Sequence, residues 1–209
     1  MTTWDKIYKN YQKGGEAWAT LKEELLPRFV QFVENNKFNN KNALDIGCGT
    51  GKYLVYLKEL GFDVIGIDSS ETAIEMTKEA LQNSAELECV NMFDYKIAKD
   101  KYDLVFSIST IHHGLKKDVT KLIKDIHDKL VDGGHVFITL PDIESNKKWN
   151  TFKSDKEIAP GTYAPISGPE KGLAHSFFAK EEIEEIFSNF KDVKLELDEI
   201  GRWYITATK

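Results

Sequence analysis

The stretch Leu44-Asp45-Ile46-Gly47-Cys48-Gly49-Thr50-Gly51-Lys52-Tyr53 joins a short apolar run to a turn with glycine at every second position. Glycine lets the backbone turn sharply and lets a ligand approach it closely, and a helix opening directly after the turn aims its free N–H groups at that ligand. The pattern predicts a strand over 43–46, a ligand-binding turn and a helix over 51–60. Two nucleotide loops fit it poorly. A Walker-type phosphate loop has four residues between its glycine and Gly-Lys, then Ser or Thr. Here three residues separate Gly47 from Gly51-Lys52, and Tyr53 follows. A dinucleotide fingerprint puts its third glycine at position 52, which is Lys52. What remains is G-x-G-x-G preceded by an acid, Asp45.

Outward from that loop, short apolar runs alternate with amphipathic helical patterns, the signature of an α/β fold around a mostly parallel sheet. Further strands are predicted over 63–68, 87–90, 102–108 and 135–140, and helices over 70–82 and 118–130, the latter with Val119, Leu122, Ile123, Ile126 and Leu130 as its stripe. Asp132-Gly133-Gly134 reads as the turn that ends this helix. Upstream, Trp18, Leu21, Leu25, Phe29 and Phe32/Val33 recur at helical spacing, with a break or a fresh helix at Pro27. Downstream, residues 142–176 lose periodicity but keep Trp149, Phe152, Tyr163 and His175, which suggests an ordered lid around an apolar chamber. The chain closes with a helix over 180–188 and runs at 193–197 and 203–208, whose short connection permits only antiparallel pairing. The expectation is one domain of 209 residues: a helical cover (1–40), a ligand-binding core (41–141), a lid (142–178) and a C-terminal helix and hairpin (179–209).

Composition narrows the function. With 41% apolar and 30% charged residues the chain has material for a core and is not of the disordered class. Its 34 acidic residues outnumber 28 basic ones, a net charge of −6, which weighs against a nucleic-acid partner because such binding rests on Lys and Arg at phosphates. Lys117, Lys121 and Lys124 share a helical face that reads as solvated. Apolar runs such as 136–140 fall far short of the ~20 residues that span a bilayer, and the N-terminus lacks a secretory layout, so no membrane role and a cytoplasmic location are expected. Cys48 and Cys89 have no CxxC spacing, so neither a metal nor a disulfide is expected. A monomer or weak dimer is expected.

Five segments in order resemble the class I S-adenosylmethionine (SAM) dependent methyltransferases: the loop with Asp45; Asp68 at the end of the second strand; Asn91-Met92-Phe93 after the third; Tyr102-Asp103-Leu104-Val105-Phe106-Ser107 as the fourth; and Leu130-Val131-Asp132-Gly133-Gly134-His135 before the fifth. The final antiparallel pair resembles the reversed last strand that sets this family apart from NAD-binding folds. The resemblance implies a Rossmann-like doubly wound sheet of seven strands, SAM as cofactor and S-adenosylhomocysteine as product. It implies that Asp45, Gly47, Cys48 and Gly49 face the methionine moiety and that Asp68, with Ser69 beside it, accepts from the ribose hydroxyls. Asn91, Met92 and Phe93 would stand at adenine, with Asn91 where relatives usually carry Asp, and Ser107 would complete the cofactor-facing set. Residues 157–163 and 168–178 resemble a tellurite-resistance-like subgroup of small bacterial and archaeal methyltransferases.

Methyl transfer needs alignment and a neutral or deprotonated nucleophile, sometimes with a general base. Ser109-Thr110-Ile111-His112-His113-Gly114 follows the fourth strand, where open α/β sheets bind ligands, so His112 and His113 are candidate bases. Phosphoethanolamine-type methyltransferases set a histidine there against an N-terminal tyrosine, a place Tyr8 or Tyr11 would take. Tyr163 and His175 are candidates for the acceptor pocket. No Asn/Asp-Pro-Pro-Tyr/Phe motif and no Pro-Cys nucleophile is present, which argues against those two nucleic-acid methylation chemistries. The reading is O- or N-methylation, with S as a further option, of a small molecule. Gly51-Lys52-Tyr53-Leu54 and Ile111-His112-His113 also resemble wobble-uridine tRNA methyltransferases, the alternative.

Overall fold

A computed structural model of the chain describes residues 2–14, 24–96, 98–148 and 155–209. Trp18, Leu21, Trp149 and Phe152 lie outside the described residues. In chain order the elements are α1 (Thr3–Gln12), α2 (Pro27–Asn35), β1 (Asn42–Ile46), α3 (Lys52–Glu59), β2 (Asp63–Asp68), α4 (Glu71–Ala80), β3 (Glu86–Cys89), β4 (Tyr102–Ser107), α5 (Lys116–His127), β5 (Leu130–Pro141), α6 (Ile143–Lys148), β6 (Asp155–Ala159), β7 (Thr162–Pro165), β8 (His175–Ser176), α7 (Lys180–Ile186), β9 (Lys191–Leu197) and β10 (Arg202–Thr208).

Seven strands form one sheet in the order β3-β2-β1-β4-β5-β10-β9. β1 pairs in parallel with β2 and β4, β2 with β3, and β4 with β5, while β10 runs antiparallel to both β5 and β9. The reversal of β10 follows from the four residues joining it to β9, too few for the crossover a parallel return needs. Alternate side chains of the central strands enter two buried clusters, as the pleat requires. Leu44, Ile46, Val105, Val136 and Ile138 pack with the stripe of α5 and with Ile183 and Ile186 of α7. Ala43, Leu104, Phe106 and Phe137 pack with Phe29 and Val33 of α2 and Tyr53, Leu54 and Leu57 of α3. At the start of β4, buried Asp103 accepts from the backbone N–H groups of Asn40 (3.0 Å) and Asn42 (3.1 Å), which fixes where the chain enters β1.

Three local features depart from the sequence reading. α1 falls within the expected helical cover but upstream of the helical spacing read from Trp18 onward; Thr2 caps it by accepting from Asp5 N at 3.0 Å. β5 begins at Leu130 rather than after Gly134: its register with β4 jumps from Tyr102↔Leu130 to Leu104↔His135, so the expected turn is a bulge inside the strand. The lid holds α6 and a small antiparallel sheet, β6-β7-β8. It is fastened to the loop after β4 by Ser176 N donating to His112 O (2.9 Å) and Ser176 Oγ to Gly114 O (2.7 Å). Pro27 opens α2 as its first residue, in keeping with a fresh helix there. Among the described residues no helix is long and apolar enough to cross a membrane.

Candidate active site

The chain winds outward from β1 to β3 and then back from β4 to β5, so the carboxyl ends of β1 and β4 meet at a topological switch point. A cavity of about 250 Å³ lies along this edge. Strand order arranges its walls: Val90, Asn91 and Met92 after β3, Asp68 and Ser69 at β2, Asp45 and the glycine turn at β1, and Ile108 to Thr110 after β4.

The turn is held from below. Gly47 N and Cys48 N both donate to Ile67 O (2.8 and 2.9 Å), and Thr77 Oγ1 donates to Gly49 O at 2.8 Å. Two of its glycines are required by conformation and by space. Gly47 has φ +86° and a side chain there would overlap Thr110; Gly49 has φ +57° and its first side-chain carbon would come within 2.7 Å of Tyr8 Oη. Asp68, at the end of β2, accepts from Gly49 N (3.1 Å, Oδ2) and Ser70 N (2.9 Å, Oδ1), and the backbone of Ser69 also bonds its carboxylate. Burial raises the Asp68 carboxyl above its ordinary value against these bonds. Asp45 is buried more deeply, and burial together with the Asp68 charge pushes its carboxyl well up. Its Oδ2 has no hydrogen-bond partner among the described residues. A buried acceptor of this kind, beside a glycine turn, suits the cationic amino end of SAM, while the carboxylate of Asp68 suits a pair of hydroxyls.

α1 forms the outer wall, with Thr2, Thr3, Trp4 and Tyr8 facing the cavity. It is pinned to α4 by buried Asp5, whose Oδ1 accepts from Thr72 Oγ1 (2.8 Å), Thr72 N (3.1 Å) and Ser70 Oγ (3.2 Å). These bonds, Thr72 Oγ1 first, outweigh burial and hold the Asp5 carboxyl well below the usual carboxylate range.

A second recess, of about 300 Å³, continues the line toward β5 and β10 and shares Trp4, Ser109 and His113 with the first. The other lining includes His112, His175, Glu170, Asn146 and Arg202. His113 stacks edge-on against Trp4, with centroids 4.8 Å apart, and its Nδ1 lies 2.8 Å from Thr110 O. Its centroid is 4.0 Å from that of His112 and 4.7 Å from that of His175. His175 Nδ1 lies 3.0 Å from Leu173 O and its Nε2 3.1 Å from Glu170 Oε2. Burial, reinforced by the neighbouring imidazoles, lowers His112 well below its ordinary value and brings His113 down to about 4, so both rings are neutral at pH 7. Burial alone would raise Glu170, but the hydrogen bond and charge of His175 more than offset it and the net shift is downward.

Of the residues singled out from sequence, Asp45, Gly47, Cys48, Gly49, Asp68, Ser69, Asn91, Met92, Tyr8 and His113 line the first cavity, and His112, His113 and His175 the second. Asn91 Oδ1 already accepts from Phe93 N at 2.9 Å. Four residues line neither recess. Ser107 is fully buried and donates to Ile46 O (2.8 Å), tying β4 to β1. Phe93 packs its ring over Gly114. Tyr11 packs beside Tyr8 and Ala73 on the inner side of α1. Tyr163 packs edge-on against Phe177 at 5.8 Å. The lid presents His175 and Glu170 to the second recess, while Tyr163 turns to Phe177. Sequence reading missed Trp4, Asp5, Glu170 and Arg202. A signal for α1 was present: Thr2 with Asp5 three residues on, then Trp4, Ile7, Tyr8 and Tyr11 at helical spacing.

Residues 17–191 match the model of a methyltransferase domain, and the chain belongs to that family. Its sheet order, glycine turn and reversed β10 are those of the class I SAM-dependent methyltransferase fold. A SAM-dependent methyltransferase of Methanosarcina mazei has the same fold, with a TM-score of 0.70 at 20% identity over 89% of this chain and 98% of that one. A Bos taurus protein named "Probable tRNA methyltransferase 9B" is 24% identical over 81% of this chain and 39% of its own length. The ubiquinone biosynthesis O-methyltransferase of Pelagibacter ubique is 30% identical over 56% of this chain and 49% of its own length. The chain therefore spans half or less of these two curated relatives.

Proposed function

We propose that this chain transfers a methyl group from SAM to an oxygen or nitrogen, or a sulfur, of a small molecule held in the recess beside the three histidines. The observation that carries this reading is the pair of recesses along one sheet edge, meeting at Trp4, Ser109 and His113. SAM supplies a methyl carbon bound to a sulfonium, whose sulfur departs as a neutral thioether. The chain's residues do the rest. Asp45 accepts from the cofactor's ammonium group, Asp68 from its ribose hydroxyls, and Asn91 and Met92 bracket its adenine. Gly47 and Gly49 keep the floor low enough for close approach. Trp4 and Tyr8 close the outer side and exclude water, which aligns the acceptor heteroatom with the methyl carbon. Tyr8 takes the place that the sequence left open between Tyr8 and Tyr11. His112, His113 and His175 face the acceptor.

The size of the second recess and the net charge of −6 favour a small acceptor over an RNA. The O-methyltransferase relative supports it. RNA modification is the second reading, favoured by the 9B relative and by the Ile111-His112-His113 run. Incubation with methyl-labelled SAM and either metabolite extracts or bulk tRNA separates them. Label in a low-mass product supports the proposal; label in tRNA alone overturns its acceptor, and failure to bind either SAM or S-adenosylhomocysteine overturns it entirely.

A further inference from the structure

We propose that His112, His113 and His175 bind a divalent transition metal of the zinc type at the floor of the acceptor recess, with a fourth position left open. The three imidazoles come from two distant segments, the loop after β4 and strand β8, and the hydrogen bonds of Ser176 to that loop bring them together. One ring nitrogen from each lies within 4.8 Å of the other two. Metal–nitrogen bonds of about 2.0–2.1 Å in a tetrahedral set place nitrogens about 3.4 Å apart. Side-chain rotation of about an ångström and a half closes the gap.

The surroundings of the rings are those of ligands. Thr110 O stands against His113 Nδ1 at 2.8 Å, and Leu173 O against His175 Nδ1 at 3.0 Å. A carbonyl can only accept, so each of these nitrogens carries a proton; Nε2 of His113 thereby keeps its lone pair, the arrangement that orients metal-bound histidines, while His175 Nε2 would exchange its contact with Glu170 Oε2 for the ion. His112 Nδ1 is buried with no hydrogen-bond partner among the described residues. A buried ring nitrogen in that state calls for a donor or a Lewis acid, and a cation held among the three rings meets the need. Glu170 Oε2 lies 3.1 Å from His175 Nε2 and sets negative charge beside the three rings. Three imidazole nitrogens suit zinc better than magnesium or calcium, which take oxygen ligands. The absence of CxxC spacing argued against a metal from sequence; the histidine set was invisible there because His175 is remote from the pair.

This inference rests on the methyltransferase reading for its chemical purpose. An acceptor hydroxyl or thiol bound to the ion loses its proton to solvent water, since a bound cation lowers its pKa. The resulting anion attacks the methyl carbon; the new bond forms as the carbon–sulfur bond breaks, and its electron pair leaves on the thioether sulfur. No oxidant or reductant is needed.

The full chain, freed of metal by chelation and dialysis, is titrated with zinc by calorimetry and with cobalt(II) by visible spectroscopy. One ion per chain is expected, with the intense ligand-field bands of a four- or five-coordinate cobalt site. His113→Ala and His175→Ala should each weaken zinc binding by roughly a hundredfold or more, since even losing a ligand's supporting partner costs about 10–100-fold. His127→Ala, on α5 away from the cluster, should leave it unchanged. S-adenosylhomocysteine binding is measured on the same samples. Binding of that product with no stoichiometric metal overturns the metal site and leaves the methyltransferase reading standing. Metal binding without product binding supports the metal site and overturns that reading. Zinc affinity untouched by both histidine variants also overturns the site, and the wild-type titration decides the matter if either variant fails to fold.

Discussion

Asp5→Ala should loosen the outer wall of the cofactor cavity, and the size of the effect follows from the bonds it breaks. The carboxylate accepts from Thr72 N, Thr72 Oγ1 and Ser70 Oγ, and its other oxygen lies 3.0 Å from Lys9 Nζ. Lys9 is largely solvated, so its pair contributes little. The hydroxyl of Ser70 is free to rotate, but Thr72 N and Thr72 Oγ1 are left without their acceptor. Orphaning a buried donor costs about 1–3 kcal/mol, so losing the acceptor of two should destabilise α1 docking by about 2–6 kcal/mol. For a chain of 209 residues this corresponds to a fall in Tm of roughly 4–24 °C if docking melts with the whole domain. If α1 undocks by itself, the loss shows in affinity instead, because only the docked fraction presents Thr2, Trp4 and Tyr8 to the cofactor. Thermal unfolding and calorimetry with S-adenosylhomocysteine read the two cases. The pH dependence has a fixed sign. The folded carboxyl binds its proton more weakly than the unfolded one, whose ordinary value is 3.8, so the native state holds fewer protons. The stabilisation is complete above about pH 5 and is lost as pH falls through the carboxylate range toward the lower, folded pKa. Wild type should therefore lose more stability between pH 5 and 3 than Asp5→Ala does. An unchanged Tm together with an unchanged product affinity would refute the pin.

Asp68→Asn should weaken S-adenosylhomocysteine binding by roughly tenfold to a hundredfold, the equivalent of about 1.5–3 kcal/mol for charge-assisted hydrogen bonds, and a dissociation constant within twofold of wild type would show that Asp68 does not meet the ribose. Alanine is the poorer probe there, since Gly49 N and Ser70 N also depend on the carboxylate, and its effect on affinity would be mixed with a fall in stability. Ser176→Ala removes the donor to Gly114 O and the partner of Thr162 Oγ1 (2.9 Å), so limited proteolysis should cut the lid faster than in wild type, by the fivefold or more that about 1–2 kcal/mol implies, with bound product restoring part of the protection; equal cutting rates in both proteins would show that the lid is held elsewhere.

The glycine turn and the strand-end residues that line the first cavity were legible because their determinants are local. A glycine turn needs its glycines where the backbone bends, so Gly47 and Gly49 announce themselves in sequence, and an acid at the end of the next strand falls at a spacing set by one helix and one strand. The strands were legible for a related reason: β1, β4 and β5 are buried on both faces and read as short continuous apolar runs. Boundaries failed where tertiary contacts override local chemistry. Asp132-Gly133-Gly134 has turn composition, yet pairing with β4 at Leu130 before it and at His135 after it draws the segment into β5 as a bulge. Ser107 fits the pattern of a cofactor residue, but its hydroxyl is spent on Ile46 O, a pairing that depends on which strands are neighbours.

The acceptor side was not legible, and the reason is the same physics seen from the other direction. Its residues come from α1, the loop after β4, the lid and the start of β10, so no spacing along the chain links Trp4, His113, Glu170, His175 and Arg202. What brings them together is backbone hydrogen bonding between irregular segments, Ser176 N to His112 O and Asp142 N to Gly201 O among them. Trp203 Nε1 adds to this by donating to Asp142 Oδ1 at 3.0 Å, which locks the lid's first residue to β10. The lid aromatics were read as a pocket lining because composition was the sole guide. Of the residues read that way, Trp149 and Phe152 lie outside the described residues, Tyr163 packs on Phe177, and His175 lines the recess and supplies part of the donor set on which the metal inference depends.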